Sequence, residues 1–168
     1  FAVTGFLDDA WAHRSYWIFG QRCSLATGCS GRAKDLLYGR LLVFDESRVC
    51  GYGRRSVHWS NSLEDGPYEV FARDRVSGRP LWARGLPVRV RGMVLAGNLL
   101  FVAGASGTEG EAGREAPTEQ PAQVVALSVA EGTEQARCAL SSPPGFDGLA
   151  AAYGRLYLTT TAGRLVCL

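Results

Sequence analysis

Several signatures of common enzyme sites are missing from this chain of 168 residues. The sequence has 2 histidines and no Cys-x-x-Cys pair, whereas a structural zinc ion needs several closely spaced nitrogen or sulfur ligands. Neither a Gly-x-Ser-x-Gly elbow nor a Gly-x-Gly-x-x-Gly loop occurs, which argues against a hydrolase nucleophile and a phosphate-cradling loop. No apolar run approaches the roughly 18–20 residues of a membrane-spanning helix, so the sequence predicts no membrane span.

Concentrated positive charge is also scarce. The formal net charge is +2, and Lys34 is the one lysine among 18 basic residues. Apart from Arg54-Arg55, and Arg89 and Arg91 with one valine between them, the arginines are scattered along the chain. A nucleic-acid groove needs a basic stripe interleaved with aromatic residues, so we expect no nucleic-acid partner.

Helical periodicity is nearly absent, whereas glycine is abundant. The 21 glycines separate short apolar runs, which is the pattern of many turns joining short strands. Hydrophobic residues make up 46% of the chain and charged residues 20%, values typical of a globular protein. The sequence therefore predicts an all-β fold. The predicted strands lie near Leu41–Phe44, Arg48–Tyr52, Met93–Leu95, Leu99–Val102, Val124–Ser128, Gln135–Leu140, Leu156–Thr159 and Leu165–Leu168.

One sequence signal recurs three times. "GRLLVF" begins at Gly39, "GNLLFV" at Gly97 and "GRLYLT" at Gly154, so the intervals are 58 and 57 residues. Each follows a small or apolar run, and glycine supplies a positive φ at little steric cost. We interpret all three as strand, tight turn, strand.

A second correspondence has a different spacing. Val70–Leu86 aligns with Val124–Leu140 at a constant shift of 54 residues, which places Gly78 on Gly132. Both segments read as hairpins with their turns at these glycines. Together the two alignments predict a repeating unit of about four strands, which favours a propeller over a sandwich or a barrel.

An insertion interrupts this repeat. The segment Ala105–Ala122, "ASGTEGEAGREAPTEQPA", has four glutamates, two prolines and no large apolar residue. Such a segment buries too little surface to offset the cost of ordering, so we expect a mobile loop. Arg55–Glu69 would be the equivalent insertion in the preceding repeat, although "VHWSNSL" within it could form an edge strand.

The repeat segments resemble a known family. "VVALSVAEGTEQARCAL", "RVSGRPLWARGL" and "GRLYLTTTAGRLVCL" are similar to the pyrrolo-quinoline-quinone-type (PQQ-like) β-propeller repeat. Its blades carry an apolar strand, an Asp/Glu-x-x-Gly turn and often a following tryptophan. Two positions depart from the pattern. Ala136 aligns with Trp82, and Arg73 aligns with the apolar Leu127.

The resemblance implies a partial β-propeller of about three four-stranded blades, as one domain over residues 1–168. It also implies the C-terminal portion of a larger ring in an exported bacterial protein, periplasmic or extracellular. The last blade has three candidate strands, and in this family the fourth commonly comes from the far end of the chain. The partners would be the remaining blades and a protein or small-molecule ligand at the loops or the channel.

Three functions stay open at this point. The favoured one is a non-catalytic binding or scaffolding module that needs no cofactor. The alternative is a fragment of a quinoprotein (PQQ-dependent) dehydrogenase, which would need a calcium site, an aromatic platform and, in many members, adjacent cysteines; no Cys-Cys pair occurs. A glycan-handling module would depend only on the 4 tryptophans.

The candidate ligand contacts are few. Asp8, Asp9, His13 and Arg14 crowd into "LDDAWAHR", and Asp147 stands in "PPGFDGLAA". A metal or hydrolytic role would need a further ligand brought in by the fold. The alternative is that the aspartates cap backbone N–H groups in turns.

The 5 cysteines fall into two groups. Cys50, Cys138 and Cys167 lie in apolar strand patterns, so we expect buried thiols. Cys23 and Cys29 flank "SLATG" and could form a disulfide or an exposed thiol pair in an oxidising compartment.

Overall fold

A computed structural model describes residues 2–3, 17–19, 37–54, 67–107 and 121–168. Every regular element in these ranges is a β-strand, which confirms the all-β prediction. None of the described segments forms a helix with the length and apolar character needed to span a membrane.

Fourteen strands form four antiparallel sheets in the described ranges. A small sheet has the order β1-β2-β3, and the other three have the orders β4-β5-β6-β7, β11-β10-β9-β8 and β12-β13-β14. The bounds are β1 Ala2–Val3, β2 Trp17–Phe19, β3 Leu37–Gly39, β4 Leu41–Phe44, β5 Arg48–Arg54, β6 Tyr68–Asp74, β7 Pro80–Arg84, β8 Val88–Ala96, β9 Leu99–Ser106, β10 Ala122–Ser128, β11 Glu134–Leu140, β12 Pro144–Ala152, β13 Arg155–Thr160 and β14 Leu165–Cys167.

The three larger meanders are successive blades of a partial β-propeller. We call β4–β7 blade 1, β8–β11 blade 2 and β12–β14 blade 3. In each blade the strands pair in chain order, and the first strand of blade 2 lies beside the first strands of blades 1 and 3. First strands side by side, with the sheets radiating outward, are the arrangement of propeller blades.

Apolar residues fill both spaces between the blades. In β9, Leu100 and Val102 join the core shared with blade 1, whereas Phe101 and Ala103 contact the core shared with blade 3. Successive side chains of a strand point to opposite faces, so a strand between two cores must be apolar at every position. This explains why β10 reads as a nearly continuous apolar run.

Hydrogen bonds also join the last strand of blade 1 to a turn of blade 2. The Trp82 indole N–H donates to the Val129 carbonyl at 2.8 Å, and Arg84 donates to the Gly132 carbonyl at 2.6 Å. The Trp82 ring lies where a side chain at position 132 would stand. Ala136 pairs with Ala126 as Trp82 pairs with Ala72, so blade 2 has alanine at the matching position.

The 54-residue correspondence is confirmed by hydrogen bonds that recur in both blades. The Gly78 amide donates to Asp74 O and the Gly132 amide to Ser128 O, at 2.9 and 2.7 Å. The two glycines have φ of +70° and +71°, so both turns need the backbone freedom of glycine.

The interpretation of Gly39 as a hairpin turn is wrong. Gly97 and Gly154 do lie in two-residue turns, with φ of +61° and +71°. Gly39 instead ends β3, which pairs with β2 in the small sheet, and "LLVF" is the first strand of blade 1. A Cβ on Gly39 would stand 2.7 Å from the Leu41 carbonyl, so close backbone approach rather than a turn accounts for this glycine.

The predicted insertion is narrower than Ala105–Ala122. Ala105 and Ser106 extend β9, and Ala122 begins β10 and pairs with Ala105. Both alanines are buried, and Ala122 belongs to the core between blades 2 and 3. Residues 108–120 lie outside the described residues, as do residues 55–66 with "VHWSNSL", whereas Tyr68 and Glu69 belong to β6.

Candidate functional site

Of the predicted ligand contacts, Asp147 is the one that the structure describes. Asp8, Asp9, His13 and Arg14 lie outside the described residues, as do Cys23 and Cys29. Asp147 lies in β12 with a φ of +54°. Its side chain is exposed, yet partial burial of the carboxyl group raises its pKa. Among the residues in the described ranges, no group of three His, Cys, Asp or Glu side chains could hold a metal ion.

The cysteine prediction is correct for one residue and wrong for two. Cys50 is fully buried, and burial raises the pKa of its thiol to about 12. Cys138 and Cys167 are exposed free thiols. They lie on β11 and β14, the outermost described strands of blades 2 and 3, where an apolar pattern does not guarantee a covering neighbour.

Ionisable residues interrupt the first strands of blades 2 and 3 at a corresponding point, and another lies just before the first strand of blade 1. In β8 a bulge inserts Arg91 between Val90 and Gly92. In β12 the register shifts between Pro144 and Leu149, a stretch that contains Asp147. In blade 1, Arg40 stands at the break between β3 and β4, and its amide donates to the Tyr52 carbonyl at 2.7 Å.

We call the positions of Arg91 and Asp147 the inner-strand position. Arg91-Gly92 precedes Met93, which pairs with Val102 of β9, and Asp147-Gly148 precedes Leu149, which pairs with Leu158 of β13. Bulges often redirect a side chain next to a functional site. The strands β8 and β12 therefore carry Arg91 and Asp147 at corresponding positions, whereas Arg40 lies one residue nearer the paired residue of its strand, directly before Leu41.

The two arginines of β8 lack hydrogen-bond acceptors. Arg89 and Arg91 are half-buried, and the Nε atom of each is buried without a hydrogen-bond partner. Burial is the cause of the pKa change of Asp147, with no arginine opposing it. Asp147 therefore accepts no hydrogen bond from either Nε atom.

A second surface lies at one end of the sheets, opposite to the end at which the chain enters each blade. We call it the turn end, because it carries the turns that follow the first and third strands. Phe44, Val76 and Tyr153 lie there and are 48%, 77% and 97% exposed. The Arg75 guanidinium lies 5.1 Å from the Phe44 ring centroid and donates to the Asp45 carbonyl at 2.8 Å.

Sequence reasoning missed both surfaces. Arg89 and Arg91 are visible as a pair, but the bulge that redirects Arg91 is a property of strand pairing. Phe44, Val76 and Tyr153 are far apart in the sequence, and only the blade topology brings their turns to one end.

Comparison with known proteins gives little beyond this geometry. No family model and no curated protein matches the chain. Among solved structures, the crystal structure of BamB from Moraxella catarrhalis matches with a TM-score of 0.25 and 16% sequence identity. The match covers 75% of this chain and 55% of that one, so the chain spans about half of that structure. The sheet topology itself therefore supports the assignment as an all-β, partial β-propeller.

Proposed function

We propose that the chain is a non-catalytic binding or scaffolding module that contacts a protein partner through its turn end. We further propose that residues 1–168 form one PQQ-like propeller domain of an exported bacterial protein, in the periplasm or outside the cell. The observation that carries the binding proposal is the exposure of Phe44, Val76 and Tyr153 at one end of the stacked blades.

Exposed aromatic and apolar side chains on a rigid frame favour association. Large exposed apolar patches mark interaction sites, and tyrosine and phenylalanine are enriched at interfaces. Loops fixed by a rigid scaffold commonly carry binding function, and here the hydrogen bonds of Trp82 and Arg84 on β7 fix the turn between β10 and β11 of blade 2 against blade 1.

The other end of the blades differs in its described residues. The Gly107 amide donates to the Pro87 carbonyl and the Thr161 amide to the Pro143 carbonyl, both at 2.9 Å. Pro143 and Pro144 are buried there. The carbonyls of Pro87 and Pro143 are thus used for internal hydrogen bonds, whereas residues 161–165 at this end are exposed. The exposed aromatic rings of Phe44 and Tyr153 favour the turn end as the partner surface.

Photocrosslinking in the native cell tests the proposal. A benzophenone amino acid placed at Tyr153 or Val76 should form adducts with a protein partner, and the same probe at Leu165, which is 71% exposed, serves as the control. Tyr153→Asn, which removes the ring and tolerates the positive φ of 52°, should abolish adducts formed from position 76. Equal adducts from positions 153, 76 and 165, or none from the first two, would contradict the proposal.

The quinoprotein alternative has a separate test. The described carboxylates do not form a three-ligand calcium group, and a bound quinone would need calcium oxygen ligands at one end of the site. We expect no change in quinone absorbance and no alcohol-dependent dye reduction when the quinone and calcium are added to the purified protein. Stoichiometric binding with dye reduction would favour the dehydrogenase.

A further inference from the structure

We propose that Arg89 and Arg91 on the first strand of blade 2 form a binding site for a small multivalent oxyanion, such as one bearing phosphate or carboxylate groups. This site is distinct from the turn end and independent of the proposed protein partner.

The first argument is the unsatisfied hydrogen-bonding capacity. The Nε atoms of Arg89 and Arg91 are buried without an acceptor. Native proteins pair nearly all buried polar groups, and an exception calls for an explanation such as an ion. Two such atoms on one strand, each belonging to a permanently charged guanidinium, point to a missing negatively charged acceptor.

The second argument is the charge of the surroundings. Arg40, which lies directly before β4, is also basic, and β4 lies beside β8. Asp147 holds the inner-strand position on β12, where burial raises its pKa and no arginine lowers it. Asp147 is therefore not the acceptor of either buried Nε atom.

The third argument is geometric. Arg91 is the extra residue of a bulge, and a bulge turns its side chain out of the regular alternation. Gly92 follows it, and the Leu149 side chain of the next blade packs 3.0 Å from where a Cβ on Gly92 would stand. The first strands of blades 2 and 3 are thus close together. Guanidinium groups suit this setting because they bind phosphate and carboxylate through paired, charge-assisted hydrogen bonds.

Titration calorimetry with inorganic phosphate and with citrate tests the site in sodium chloride of matched ionic strength. We expect saturable binding of at least one of the two anions, and the comparison distinguishes phosphate from carboxylate recognition. Arg91→Gln and Arg89→Gln should each weaken binding about tenfold or more, because each removes a charge-assisted hydrogen bond.

Arg155→Gln is the matched control, since Arg155 is an exposed arginine on β13, and it should leave binding unchanged. Arg91→Lys, which keeps the charge but loses the fork of donors, should bind with intermediate affinity. Circular dichroism confirms that each variant is folded before titration. Absence of saturable binding of both anions to the unsubstituted protein, or equal binding by the Gln variants, would overturn the proposal.

Discussion

Replacing Gly132 with alanine should destabilise the protein more than the same change at Gly78. The two glycines occupy matching turns with φ of +71° and +70°, so alanine should cost about 1–2 kcal/mol at either site through backbone strain. They differ in their surroundings. A Cβ on Gly78 would meet no atom within 4 Å, whereas one on Gly132 would stand 2.6 Å from Trp82 ring atoms.

The contact between blades sets the expected difference. Overpacking costs about 1–3 kcal/mol, and moving the Trp82 ring also weakens its 2.8 Å hydrogen bond to Val129, worth about 0.5–1.5 kcal/mol. We therefore expect Gly132→Ala to lower the free energy of unfolding by about 2–3 kcal/mol more than Gly78→Ala. At a urea dependence of about 1–3 kcal/mol per molar, the midpoints should differ by roughly 1–2 M.

Urea unfolding followed by far-UV circular dichroism measures this difference without relying on tryptophan fluorescence. In a Trp82→Ala background the added cost of Gly132→Ala should fall to that of Gly78→Ala, because residues in contact are energetically coupled. Equal destabilisation at the two glycines, or a cost at Gly132 that does not change when Trp82 is removed, would refute the argument.

Three further predictions concern side-chain chemistry. Maleimide labelling at pH 8 followed by mass spectrometry should modify Cys138 and Cys167 but not Cys50, whose thiol is buried with a pKa of about 12; labelling of native Cys50 at a similar rate would contradict its placement in the core. Burial raises the pKa of Asp147 above 3.8, so this carboxyl group binds a proton more tightly in the folded protein than in the unfolded chain. Ionisation of Asp147 therefore lowers the free energy of unfolding, and this loss develops as pH rises through the raised pKa. Asp147→Asn should therefore raise Tm at pH 7 and leave it unchanged at pH 3, whereas an equal shift at both values would show that ionisation is not the cause. The hydrogen bond and charge of Arg137 lower the pKa of Glu134. Glu134→Gln should therefore lower the stability slightly at pH 7, less in high salt, and not at all below the lowered pKa of Glu134 in the folded protein. Thermal melts at low and high salt measure this difference.

Much of the strand content could be predicted from the sequence because local signals agree with the fold. The apolar run predicted a strand over Leu41–Phe44, and these are the bounds that the structure shows. The shift of 54 residues that maps Gly78 onto Gly132 was also correct, because a turn with positive φ selects glycine through local sterics alone. These features depend on the backbone of a few neighbouring residues, so they are present in the sequence itself.

Other features depended on which strands become neighbours. Gly39 carries the same local signal as Gly97, yet it ends a strand of a different sheet. Cys138 and Cys50 both lie in strand-like sequence, but the first is on an outermost strand and the second is between two blades. Whether a strand face is buried depends on the sheet that covers it. The residue pattern within the strand does not indicate which sheet that is.

The sequence alone determined that this chain forms short strands joined by glycine turns in units of about four. The tertiary structure alone decided that Arg91 and Asp147 hold corresponding positions on adjacent strands, and that the turns of Phe44 and Tyr153 project from one end of the blades. The physical reason is that backbone conformation is set by neighbours along the chain, whereas register, bulges and the facing of blades are set by packing between segments far apart in sequence.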